Sequence, residues 1–304
     1  NQFVVDNNPT NYFWDYKLKV QIPGTNQSMC IDFRDIPGEY CEPHSNQFAE
    51  IANYVRECDV YVIVIDTPYL MASSNVVREA ACLKDSIHTL LTNVDLNSQE
   101  LKQVIFVPIK CEYWIKNDNI NAVNQKIREV YRSSITHLLA SKKTEISIIP
   151  IQTAGDIMFA ELTQSYNVVN TDTKEITHNK CAKISNNIVR LKNGNNHPLA
   201  SNEMLVEDLK SVFKETPIPR PIAWYQLHNT QTEPKYRPYN CEQLPLHIIR
   251  FMFNKAAIKA RAGFAGWFMQ IFGQIPKQTL QNALINLQQN NLIKDNVEGI
   301  ERIV

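Results

Sequence analysis

Four short segments of this 304-residue chain place acids, a lysine and small-residue loops where β-strands are expected to end. They are Asp35-Ile36-Pro37-Gly38, Asp66, Ile109-Lys110-Cys111-Glu112 and Gln152-Thr153-Ala154-Gly155. In open α/β sheets ligands bind outside the carboxyl ends of the strands, so the chemistry on offer is ligand binding at one shared edge. The stretch from Ile31 to His44 alternates, ends in an aspartate, and sets a glycine three residues further on. Beyond the turn it presents Glu39, Tyr40 and His44. Other chemistries find less support. The seven cysteines are scattered with no C-x-x-C pair, which speaks against a zinc or redox site and for free thiols in a reducing cytosol. His44 is expected to be an exposed loop histidine, and the other histidines show no metal-ligand spacing. Cys30 and Cys111 are expected to be small packing residues, and Asp66 a loop cap rather than a ligand.

In chain order these segments resemble the signature elements of Ras-like P-loop GTPases of the TRAFAC type. D-I-P-G matches the D-x-x-G of switch II, I-K-C-E is similar to the guanine-reading N/T-K-x-D with Glu for Asp, and Q-T-A-G resembles the short S-A-x loop that closes on the base. Upstream, NNPTNYFWDYKLKV resembles switch I running into an edge strand, with Thr10 in the place of its metal-binding threonine. The resemblance covers about residues 8 to 155. More narrowly, the chain is similar to the GTPase-like domains of bacterial double-GTPase conflict-system proteins.

The resemblance implies GTP or GDP with Mg2+ as cofactors and a role for each residue. Asp35 and Thr10 would serve the metal, since a small hard cation takes oxygen ligands and keeps several of its waters. The Gly38 amide would approach the γ-phosphate and the loop would relax once that phosphate leaves, which makes a switch. Glu39 stands where such enzymes carry the residue that orients the attacking water; a carboxylate there also repels the phosphate, so slow or partner-dependent turnover is expected. Lys110 would lie along the purine face, Glu112 would accept from the guanine edge, and Thr153 and Ala154 would offer amides to the guanine oxygen. The extra methylene of Glu112 bears on guanine against adenine specificity. The phosphate-cradling G-x-x-x-x-G-K-[ST] occurs nowhere in these residues. Without the strand that feeds that loop, the strands ending at Asp35 and Asp66 would each expose unpaired backbone groups. A preceding segment is the expected supplier, with another chain or a rearranged sheet as alternatives.

The elements that must hold these residues are legible as patterns. Residues 14 to 35 read as a β-hairpin with turn chemistry in PGTNQ. Val60 to Ile65 is unbroken apolar and reads as an interior parallel strand, and QVIFVPIK and EISIIPIQ repeat the pattern. Helical stretches lie at 45–58, 74–91 and 121–140. Alternating strands and helices predict an α/β fold: a Ras-like, mostly parallel sheet with helices on both faces, an antiparallel edge hairpin and a C-terminal helical extension. Residues 164–200 read as a long insertion or hairpin. SNEMLVEDLKSVFKE reads as an amphipathic helix capped by Ser201, the prolines between 217 and 238 as an extended connector, and the chain from Glu242 as helical, with a second apolar stripe at Leu280, Ala283, Leu284 and Leu287.

Three regions follow: a GTPase-like domain over 1–160, an insertion and proline-rich connector over 161–240, and a C-terminal helical segment over 241–304. Lys plus Arg and Asp plus Glu are both 31, so no global cationic field favours nucleic acid or an acidic membrane. No basic and apolar leader opens the chain and no run is long enough to span a bilayer, which predicts a soluble cytoplasmic protein. Lys255, Lys259 and Arg261 ahead of aromatics would suit an interfacial helix, but a helix packed on the sheet is the stronger expectation. Two functions are carried forward. One is a regulatory GTP-binding module, a GTP hydrolase if an upstream segment supplies the P-loop, whose switch II loop, insertion and C-terminal helices contact protein partners. The other is a pseudo-GTPase that serves as a structural protein-protein interaction module.

Overall fold

The computed structural model describes residues 2–4, 13–21, 28–92, 101–207, 221–228, 236–261, 282, 285, 292–297 and 299–303. In chain order the strands are β1 (Gln2–Val4), β2 (Trp14–Gln21), β3 (Ser28–Asp35), β4 (Val60–Asp66), β5 (Lys102–Ile109), β6 (Thr144–Ile148), β7 (Ile157–Thr163), β8 (Tyr166–Asn170), β9 (Ile176–Ser185), β10 (Ile188–Arg190), β11 (Asn196–Pro198), β12 (Glu203–Glu207), β13 (Ile222–Leu227) and β14 (Glu301–Ile303). The helices are α1 (Phe48–Glu57), α2 (Thr67–Leu70), α3 (Asn75–Cys82), α4 (Lys84–Thr92), α5 (Glu112–Lys116), α6 (Ile120–Val130), α7 (Arg132–Ala140) and α8 (Gln243–Arg261). The fold is mixed α/β with several sheets.

The central sheet runs β14-β6-β5-β4, with β4, β5 and β6 parallel and β14 antiparallel at one edge. The apolar run of β5 is buried along its length because helices cover both faces. On one face Val104, Phe106, Ile63 and Ile146 pack under α1, α4, α6 and α7. On the other, Ile105 and Val107 meet Ile248 of α8, and Ile31 and Phe33 of β3 approach the same cluster. Lys255 of α8 is buried on Asp59, just ahead of β4, so it anchors a packed helix rather than an interfacial one. Among the described residues no helix is long and apolar enough to cross a membrane.

Several expectations are revised by tertiary contacts. β4 is parallel as expected but not interior: it stands at the sheet edge, pairs with β5 alone among the described residues, and leaves Val64 60% exposed. The hairpin β2-β3 pairs from Trp14↔Asp35 to Gln21↔Ser28 as a separate two-stranded sheet. The stretch 74–91 breaks into α3 and α4 at Leu83, whose φ is 46°. The buried hydroxyl of Tyr131, at the junction of α6 and α7, donates to the Cys82 carbonyl at 2.7 Å and so ties the two helix breaks together. The predicted helix from Ser201 is overturned over its first part, since Glu203–Glu207 forms strand β12 in antiparallel register with β8, and its remainder, 208–215, lies outside the described residues. Leu205 packs there beside Val168, so cross-strand pairing prevails over helical periodicity. Cys30 is exposed rather than packed, whereas Cys111 is fully buried. The insertion is a five-stranded sheet ordered β11-β10-β9-β8-β12, and a further sheet, β1-β13-β7, draws one strand from the proline-flanked connector. The stripe at 280–287 and Thr10 lie outside the described residues, apart from positions 282 and 285.

Candidate functional site

The carboxyl ends of β5 and β6 bring three of the predicted base-reading residues into direct contact. β5 ends at Ile109; Lys110 then adopts a left-handed φ of 60°, and Glu112 opens the short helix α5. This turn folds Glu112 back under the loop that follows β6, where it is 3% exposed. Its Oε1 accepts from the Thr153 amide at 2.7 Å, the Thr153 hydroxyl at 3.1 Å and the Ala154 amide at 2.6 Å. A carboxylate oxygen that accepts several N–H and O–H groups fixes the loop that donates them. The Ala154 amide, which the resemblance assigns to the guanine oxygen, is thus given to a side chain of the chain itself.

The same loop is fastened from outside by residues 236–240. Gln152 and Tyr239 exchange both backbone hydrogen bonds at 3.1 Å, and the Gln152 side-chain amide donates to the Arg237 carbonyl at 2.7 Å. Gly155, with φ 84°, lies so close to this strap that a Cβ would sit 2.8 Å from the Arg237 Cβ. Glycine is required there by both conformation and contact.

Lys110 extends to Asp66 at the end of β4, with Nζ to Oδ2 at 2.6 Å and both side chains mostly buried. Asp66 occupies the N-cap position of α2 yet makes no side-chain cap bond, so the expected loop cap is instead one half of an ion pair. The ring of Tyr225 from β13 covers Lys110, centroid to Nζ 5.8 Å. Burial, reinforced by the charges of Asp66, Tyr69 and Glu112, pushes the Tyr225 hydroxyl far above its ordinary range. Beside it, Cys111 is held between Thr67 Oγ1 and the Pro108 carbonyl, each at 3.2 Å. Burial pushes the Cys111 thiol up to about 12, which makes it an inert packing residue.

The switch-like residues stand on the other sheet. Asp35 closes β3 opposite Trp14, and Gly38 and Glu39 lie exposed in a 3-10 turn over Gly38–Cys41 that follows buried Pro37. Ile36, Tyr40, Cys41 and Phe48 pack against the core and anchor both flanks of that turn. A Cβ on Gly38 would press on Leu83 at 3.0 Å. His44 is exposed, as expected, and lies 2.8 Å from Glu42. The structure therefore joins Glu112, Thr153 and Ala154, turns Lys110 onto Asp66 at the adjacent strand end, and keeps Asp35, Gly38 and Glu39 on the hairpin side.

Sequence reasoning missed the strap at 236–240 and the covering strand β13, because their pairing partners lie far away in the chain. The aromatic and β-branched run of IAWYQL, 222–227, was the available signal for β13. No protein-family model matches the chain, and neither a curated protein nor a solved structure matches it.

Proposed function

We propose that the chain is a GTPase-like interaction module in which the base-reading end is held closed by its own glutamate. The observation that carries this reading is the bonding of Glu112 Oε1 to both loop amides and to the Thr153 hydroxyl. Guanine would have to displace a charge-assisted acceptor from amides it is meant to use. Such hydrogen bonds are roughly twice as strong as neutral ones, so a neutral carbonyl oxygen competes poorly. The pairing of Lys110 with Asp66 adds to this, because the lysine is already committed to a mostly buried partner. An exposed aromatic strip on β2 suits the interaction role: Trp14, Tyr16 and Leu18 are 44%, 52% and 47% exposed, and the first two rings stack. Contiguous apolar surface of this kind on an edge strand is the usual mark of a protein contact.

A second reading, a guanine-nucleotide switch, is favoured by the convergence of Lys110, Glu112, Thr153 and Ala154 at one edge. In that reading GTP with Mg2+ draws Glu112 onto the base, Asp35 serves the metal, and Glu39 and Gly38 face the γ-phosphate. Equilibrium titration of the chain with fluorescent GTP and ATP analogues, with and without Mg2+, separates the two. The interaction reading predicts no saturable binding of either nucleotide. Saturable binding that prefers GTP, and that loses its Mg2+-dependent part in Asp35→Ala, establishes the switch instead.

A further inference from the structure

The insertion carries a second grouping of chemistry-bearing side chains, remote in sequence from the loops described above. His178 on β9, His197 on β11 and Glu203 on β12 present donor atoms that all lie within 4.8 Å of one another. β11 and β12 are the opposite edges of the five-stranded sheet, so the sheet must curl for these residues to meet. The curl has a local cause. Lys180 has φ 50° in the middle of β9, whose first half pairs with β8 and whose second half pairs with β10. His197 Nε2 then lies 3.0 Å from Glu203 Oε2, and the two imidazole rings meet edge to face with centroids 4.4 Å apart.

We propose that His178, His197 and Glu203 form a binding site for a divalent transition-metal ion of the zinc type. Two imidazoles and a carboxylate are a donor set that such an ion takes, with a fourth position left for water or an exogenous ligand. Metal–donor distances of about 2.0–2.1 Å in tetrahedral geometry put neighbouring donors roughly 3.3 Å apart. The His197–Glu203 separation is already close to this, and the His178 donor atom lies within 4.8 Å of both. Two neighbouring donors hold the carboxylate in place, since Thr177 Oγ1 donates to Oε1 at 2.9 Å and the Ala200 amide donates to Oε2 at 3.0 Å. Outer-shell bonds of this kind fix ligating carboxylates in metal sites. All three side chains are part-exposed, which gives an ion access. A bound ion would lock β11 and β12 together through β9 and make the curled sheet rigid.

The test is titration of the metal-free full chain with Zn2+ against a chromophoric chelator, repeated with His178→Asn and Glu203→Gln, together with Co2+ absorption spectra. The His178 side chain makes no hydrogen bond to another described residue, so its variant isolates ligation from folding, and an unchanged circular dichroism spectrum confirms that it does. The expected result is one Zn2+ per chain, binding weakened by more than about 100-fold in each variant, and a Co2+ spectrum without thiolate charge-transfer bands. Absence of stoichiometric binding overturns the proposal. Binding that is equal in wild type and variants, or thiolate bands with Co2+, also overturns it and assigns the ion to the free cysteines.

Discussion

Glu112 decides the reading because one added methylene changes what a carboxylate at this position can reach. It folds back onto the Thr153 and Ala154 amides, which in the proposed reading would otherwise face the base. Removing it as Glu112→Ala leaves two amides without their acceptor and is expected to cost on the order of 2–4 kcal/mol, read as a lower urea midpoint. A residue kept only for reading a base would show almost no such loss. His247 supplies a pH prediction at the same scale. It is fully buried, accepts at Nδ1 from Arg250 at 3.2 Å and donates from Nε2 to the Lys294 carbonyl at 3.1 Å, so the neutral ring satisfies both sides. Burial, with the Arg250 charge adding to it, pushes its pKa down to about 4 from 6.5. The unfolded chain therefore takes up a proton that the folded chain refuses. Stability from this group is complete above about pH 6.5 and falls as the pH drops toward 4. The urea midpoint should decline through that window, and His247→Gln should remove this part of the slope.

At the scale of elements, the strap at 236–240 and the loop at 152–155 act as one short ladder whose closeness depends on Gly155. Gly155→Ala forces a side chain into a left-handed φ and onto Arg237, and a loss on the order of 2 kcal/mol is expected in chemical denaturation. Its sensitivity should match that of Glu112→Ala, since both hold the same loop from opposite sides. Much of this level was legible in the sequence. The alternation of Trp14 to Gln21 and Ser28 to Asp35 gave the hairpin, and the apolar runs of β4 and β5 gave the parallel strands. Legibility ended where distant partners decide conformation. Glu203 to Glu207 has helical periodicity but becomes a strand because β8 offers a ladder, and the helices over 74–91 and 121–140 break where Tyr131 reaches Cys82. The histidines at 178 and 197 showed no ligand spacing, because a curled sheet rather than one local turn brings them together.

The described residues join a central sheet, parallel except for β14, to three antiparallel sheets, with the expected ligand edge covered rather than open. β13 lays Tyr225 over Lys110, the strap fastens the loop after β6, and Glu112 fills it from within. β4 keeps an outer edge that pairs with no described strand, and the hairpin's β2 presents its aromatic strip. Exposed edges of this kind accept added strands. In the proposed interaction role the contact surfaces would lie along β2 and the free edge of β4. The most direct measurement of that closure is the amide NMR signal of Thr153 and Ala154 in the isotopically labelled chain as GTP and Mg2+ are added. The account predicts that both resonances stay in place in the wild type and move only when Glu112 is replaced. A saturable shift of the two amides with GTP, absent with ATP, would contradict it.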